Sequence, residues 1–293
     1  MPASDPHGET LDQDLSGLDA LEIHIPSPQR TITRLLWAAA WPKIAAVAIV
    51  LFLWQLVAWT HWRPSYVLPG PGPVFRRLGD DLTTFDLARA VGVTLRRAVL
   101  GYLIALGAGG AVGLAVVRVR YVRAALGSAI TGLQTMPSIA WFPLAILLFK
   151  RGEGAITFVV VLGAAPAIAN GVIAGVDHIP PILLRAGKVL GARGLSSYRH
   201  VIVPAALPGF VAGLKQGWAF AWRSLMAAEL LVTLGASIGA RLDLARQNFD
   251  AEGLLATMIV ILAIGIVVDS LVFGTIERGI RRRRGLIDAA EAA

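Results

Sequence analysis

Three charged side chains, Lys215, Arg223 and Glu229, interrupt an otherwise apolar stretch over roughly 206–234. In a bilayer a charge at that depth is costly unless it is paired or wetted. At roughly 100° per residue, Lys215 and Arg223 fall about 80° apart on a helix, and Glu229 lies far round from Arg223. The chemistry open to such a set is electrostatic. Arg223 and Glu229 are candidates for lining a path through the membrane, where a guanidinium favours anions. The competing reading pairs Arg223 with a carboxylate on another helix and lets Lys215 snorkel from near the end of its span. Bond-making chemistry has little support. The chain has no cysteine, which removes disulfides, thiolate nucleophiles and Cys-based metal sites. His7, His24, His61, His178 and His200 are scattered without a His-x-x-x-His pair, so no metal site is expected. Gly187-Lys188-Val189, the nearest fragment to a phosphate-cradling GxxxxGK[ST] loop, lacks the first glycine and the hydroxyl residue. No catalytic residue is expected.

The elements that must position those charges are membrane spans. Of the 293 residues 56% are hydrophobic and 16% charged, against about a quarter charged in soluble domains. Six spans are expected: about Trp41–Trp59, Thr94–Val117, Leu126–Phe149, Ala155–Val176, Ala206–Leu234 and Leu254–Phe273. Trp37, Trp41, Trp59 and Trp62 bracket the first in the manner of an interfacial aromatic belt. Pro137 and Pro143 interrupt the third, and Pro166 lies inside the fourth, each freeing backbone carbonyls that neighbours must satisfy. Gln134, Thr135 and Ser138 beside Pro137 could offer polar contacts at a broken helix. Residues 1–36 read as a mobile acidic tail, 37–285 as the membrane domain and 286–293 as a C-terminal tail. Leu18, Leu21, Ile23 and Ile25 could make a weak docking strip within the first tail.

Six spans place both termini on one side. Of the 27 Lys and Arg, fifteen fall on the side of the termini, ten on the other, and Lys215 and Arg223 within a span. The positive-inside rule makes the first side cytoplasmic, with the protein multi-pass in the cell's inner (plasma) membrane. The net charge of +8 is therefore a matter of topology and bilayer contact, not of nucleic-acid binding. Arg281–Arg284 reads as an anchor to anionic headgroups.

The same topology places residues 177–208 in the cytoplasm. Pro180 and Pro181 suit the first turn of a helix. Ile182, Leu183, Ala186, Val189 and Leu190 then share a helical face. Gly191 is placed to stop that helix, a second short helix is expected over Leu195–His200, and Pro204 and Pro208 mark re-entry into the membrane. The product is a short rigid knob with an apolar face and a basic rim. It is either a docking surface or a connector packed on its own helices.

Small residues recur every four positions at Gly209, Gly213, Gly217 and Ala221, and again at Gly109 and Gly113. Such ridges let backbones approach closely, inside one subunit or across a homodimer seam. Asp269 near the end of the sixth span reads as an ion pair before a proton relay. Trp218 and Trp222, four apart, read as packing residues before a substrate cage.

The loop resembles the signature of binding-protein-dependent ABC importer permeases: Glu-Ala-Ala, three residues, Gly, nine residues, Ile-x-Leu-Pro. Arg185-Ala186-Gly187 stands at the triplet and Gly191 at the motif glycine. Nine residues from Ala192 to His200 follow, and Val201-Ile202-Val203-Pro204 closes the pattern. Arg185 replaces the acid and Gly187 the second alanine. The resemblance extends over about Leu68–Leu286. It includes LPGPGPVF, QTMPSIAWFPLAILLF and GLKQGWAFAWRSLMAAEL, and is similar to the permeases that import nitrate, sulfonates and taurine.

That resemblance implies an all-α, six-span type I ABC importer permease fold with cytoplasmic coupling helices. It implies a homodimer whose loops, through Arg185, Ala186, Gly187, Gly191, Ala192 and Pro204, dock on cytoplasmic ABC ATPase subunits. ATP and Mg would be bound by that ATPase, so this chain needs no cofactor of its own. A soluble extracytoplasmic substrate-binding protein would deliver a small anion, sulfonate or taurine ahead of nitrate. An ATP-independent secondary transporter or channel is the alternative; it would call for a coupling-ion site, often with repeat symmetry and unwound intramembrane helices. No clear repeat is evident in the sequence, and the loop motif argues against that class.

Overall fold

The computed structural model of the protein describes residues 32–283, which are helical throughout apart from their connections. The docking strip in the N-terminal tail and the C-terminal tail lie outside the described residues. Helix α1 spans Ile32–Trp59 with Pro42 inside it; it therefore begins within the range expected for the tail. Of the described residues, those up to Leu56 form one unit and those from Val57 another.

The second unit begins with α2, Pro71–Leu82, whose Pro71 and Pro73 occupy the first turn, where a missing amide hydrogen costs nothing. There follow α3, Phe85–Arg118, and α4, Arg120–Thr135. A 3₁₀ turn at Ser138–Trp141 leads to α5, Phe142–Phe149. Next come α6, Glu153–Asp177, and α7, Pro181–Val189. A turn at Leu195–Ser197 and a π turn at Tyr198–Ile202 run directly into α8, Val203–Leu231. Ser237 caps α9, Ile238–Gln247, by accepting from the Ala240 amide at 3.2 Å. Asp250 caps α10, Ala251–Val268, through the Gly253 amide at 2.9 Å. A π turn at Asp269–Phe273 continues into α11, Gly274–Arg283.

Helix α6 is the centre of this unit and packs most extensively on α8 and α3. Its core residues Ile156, Val159, Val160, Ala164 and Ile168 are at most 1% exposed. Glycines make the approach possible. A Cβ on Gly213 would overlap the backbone of Gly171, one on Gly209 that of Gly175, and one on Gly109 that of Ala165. Gly217 lies against Ile168. The glycine ridges thus serve packing within one chain. Trp218 and Trp222 stack at 6.4 Å inside the same core, with Tyr102 edge-on to Trp218 at 5.4 Å.

Among the described residues four helices are long and apolar enough to cross a membrane, or five if the pair Arg120–Thr135 and Ser138–Phe149 counts as one. That pair is bent by 101°, so the third expected span is no straight helix. The cause is Pro137, which holds Met136 in an extended conformation with ψ 128° and ends α4. Pro143, expected to interrupt as well, sits harmlessly in the first turn of α5. The fifth expected span, α8, which carries Lys215, Arg223 and Glu229, is not among those four or five. Lys215 and Glu229 find their partners on neighbouring helices.

Candidate functional site

At one end of the second unit, α7 and the turns after it form the expected knob. The Gly191 amide donates to the Lys188 carbonyl at 3.1 Å and the Ala192 amide to the Gly187 carbonyl at 2.9 Å. With Gly191 at φ +84°, this is a Schellman stop, and the left-handed residue is a glycine because a Cβ is penalised there. Gly187 is buried against Val201; a Cβ would come within 2.7 Å of the Val201 Cγ2. The two ends of the motif therefore touch, and the glycine that departs from the family triplet is the residue that permits it. Pro204 lies in the first turn of α8 and does not interrupt the helical run.

The knob is tied to its surroundings by charge. Arg118, at the end of α3, lies over the Tyr198 ring at 4.9 Å. Arg123 on α4 bonds Asp177 at the end of α6 at 2.7 Å. The apolar face itself points outward: Ile182 is 67% exposed, Val189 87%, Leu190 85% and Leu195 83%. Arg185, Ala186 and Lys188 are exposed beside it.

The residues proposed for a path separate. Arg223 is exposed and lines a cavity of about 310 Å³ between the break after α4 and the facing side of α8. Its Nε donates to the Ala219 carbonyl at 3.2 Å, and its guanidinium lies over Phe220 at 5.0 Å. No carboxylate lies within 4 Å of it among the described residues. Lys215 instead turns to Asp269 at 3.3 Å and Glu277 at 3.7 Å, so Asp269 is an ion-pair partner and Lys215 does not share Arg223's surroundings.

Glu229 corrects the expectation of a path-lining pair, because it is 0% exposed. Arg97 Nη1 donates to Glu229 Oε1 at 2.9 Å, the Thr94 hydroxyl to Oε2 at 2.9 Å, and the Gly239 amide to Oε2 at 3.1 Å. The same guanidinium reaches Glu153, at the start of α6, with Nη2 to Oε1 at 2.5 Å and Nε to Oε2 at 2.9 Å, and also the Leu234 carbonyl at 3.1 Å. This cluster joins α3, α6, α8 and α9 at the end opposite the knob. Arg97 is one of the ten basic residues counted on the side away from the termini, and the sequence did not single it out. The available signal was Glu229, a lone intramembrane carboxylate that needs a cation. Nearby, Arg241 bonds Asp81 at 2.9 Å, tying α9 to α2. Arg246, at 2.6 Å from Asp243, holds that carboxyl below the usual carboxylate range.

The sequence pattern of binding-protein-dependent transport system inner membrane components matches residues 86–282. The nitrate import permease protein NrtB of Leptolyngbya laminosa is 29% identical over 240 residues, 79% of this chain and 84% of that protein. The taurine transport system permease protein TauC of Escherichia coli K12 is 29% identical over 260 residues, 85% of this chain and 90% of the relative. Among solved structures, an inward-facing conformation of the MetNI methionine ABC transporter superposes with a TM-score of 0.58 at 18% identity. It covers 67% of this chain and 97% of the other, which establishes a shared fold.

Proposed function

This chain belongs to the family of binding-protein-dependent transport system inner membrane components, and on that premise we propose that it forms, as a homodimer, the path by which an ATP-driven importer carries a small anion. It is a multi-pass inner-membrane permease with the type I ABC importer fold. Permeases of this family work with an ATPase and a substrate-binding protein. The knob of residues 177–208 is the coupling element of this reading. By the positive-inside rule it faces the cytoplasm together with both termini, where the ATPase and its ATP and Mg reside.

The observation that carries the reading is the outward apolar face of α7. Val189 and Leu190 are 87% and 85% exposed on a helix whose opposite side, at Gly187, is closed against Val201. A rigid apolar ridge of this kind fits a groove on a partner. Leu190→Asp is expected to lower the amount of co-purifying ATPase at least about tenfold, given that a central interface truncation costs roughly 2 kcal/mol. The permease itself should remain monodisperse, since that side chain packs on little. Undiminished ATPase recovery would refute the docking role.

The substrate reading rests on Arg223 and on the taurine and nitrate relatives. Uptake of taurine and of nitrate into proteoliposomes, with ATPase and binding protein present, tests it directly. Arg223→Gln is expected to cut uptake by about tenfold, the worth of one charged hydrogen bond. Unchanged uptake with unchanged anion preference would remove Arg223 from the path.

A further inference from the structure

The break after α4 brings hydroxyl and amide groups to the cavity that Arg223 lines, and their hydrogen bonds leave donors unspent. Ser138 Oγ and Ser224 Oγ lie 2.6 Å apart. Two hydroxyls hold two hydrogens, and their mutual bond uses one. Ser224 is 1% exposed, whereas Ser138 is half-buried. The arrangement that satisfies the buried group has Ser224 donate to Ser138, so the Ser138 hydrogen is left for the cavity. Asn170 Nδ2 donates to Gln134 Oε1 at 2.5 Å. This occupies the acceptor of that amide and leaves its Nε2 as a donor. The space for the serine pair is made by Gly163 on α6: a Cβ there would overlap Ser224 Oγ and reach 3.2 Å from Ser138 Cβ.

The polar side chains lining the cavity are thus a guanidinium, a hydroxyl hydrogen, an amide donor and Thr135, whose hydroxyl is spent on the Gly132 carbonyl at 2.8 Å, with no carboxylate among the described residues. Leu133, Ile139 and Phe220 supply apolar wall. A cavity of about 310 Å³ is at the small end of ligand pockets.

We propose that Arg223, the Ser138–Ser224 pair and Gln134 form a binding subsite within the permease for an oxyanion headgroup carrying a short apolar tail, a small alkanesulfonate. It rests on the anion-import reading above and adds to it that selectivity is exerted in the membrane as well as at delivery. Arg223 supplies the charge, Ser138 and Gln134 the directional donors. The apolar wall favours a sulfonate with a carbon chain over bare nitrate. Gly163 and Asn170 are positioning residues, acting through Ser224 and Gln134.

The test is calorimetric titration of the purified permease–ATPase complex, without binding protein, using propanesulfonate and then nitrate. Propanesulfonate is expected to bind saturably and more tightly than nitrate. Arg223→Gln should weaken it about tenfold or more, and Ser138→Ala about three- to tenfold, the range for charged and neutral hydrogen bonds. Ser138→Thr, which keeps the hydroxyl, should restore it. Absence of propanesulfonate binding, equal binding by Arg223→Gln and Ser138→Ala, or tighter nitrate binding overturns the subsite. Uptake with binding protein present separates the two claims. Uptake of propanesulfonate without binding to the complex rejects the subsite alone. Failure of the complete importer to take up propanesulfonate, taurine or nitrate rejects the anion reading on which it stands.

Discussion

Arg97→Ala is expected to destabilise the permease by about 3–5 kcal/mol, the cost of leaving a buried charge without its partner. Glu229 would remain 0% exposed, keeping only the Thr94 hydroxyl and the Gly239 amide. Three helices meet at this guanidinium and α9 joins through Glu229, so the loss should appear as a global drop in thermal stability in detergent, by roughly 10 °C or more for a domain of this size. Arg97→Lys should recover only part of it, because one ammonium cannot reproduce the forked contacts to Glu153, Glu229 and Leu234. Arg97→Met with Glu229→Leu removes both charges and should be less damaging than Arg97→Ala alone. A melting temperature for Arg97→Ala within about 2 °C of the parent would show the cluster to be energetically idle.

Gly213→Leu is expected to abolish recovery of folded protein. No side chain fits between Gly213 and Gly171, because even a Cβ would overlap backbone. Backbone cannot rotate out of the way as a side chain can, so the cost should exceed the 1–3 kcal/mol usual for overpacking, at about 4 kcal/mol or more. Size-exclusion chromatography of the tagged protein reads the result. Since α6 and α8 belong to the same chain, the failure should fall on the monomer's own fold and not only on association between copies. Monodisperse Gly213→Leu protein with normal uptake would contradict the packing seen here. Gly209→Leu offers an independent check on the same seam, where Gly175 is the neighbour.

Much of the knob at residues 177–208 was legible in order along the chain. Its helix start, glycine stop and outward face depend on residues within a few positions of one another: Pro181, Gly191 and the repeat Ile182, Ala186, Val189. Local hydrogen bonds enforce that register, as the Gly191 and Ala192 amides show. The contact between Gly187 and Val201 was hidden, since it closes across a turn whose path no periodicity specifies. The break at Pro137 was visible as a proline in an apolar run, but its 101° bend was not. Pro143 sends the same signal and does no such thing.

The intramembrane charges divide in the same way. Their positions on α8, and the expectation that each needs a partner or water, follow from composition and the cost of burying charge. Which partner each takes is decided by helices far apart in sequence. Glu229 meets Arg97, Lys215 meets Asp269, and Arg223 meets a cavity and, among the described residues, no carboxylate. The sequence by itself determined a basic-loop, multi-span, family-typical permease, because hydropathy, charge bias and local stops act over short stretches of chain. Only the tertiary structure decided which charge is held by an ion pair across helices and which faces a cavity. A charge in low dielectric is defined by what lies within a few ångströms of it, and that is set by the packing of α3, α6 and α8.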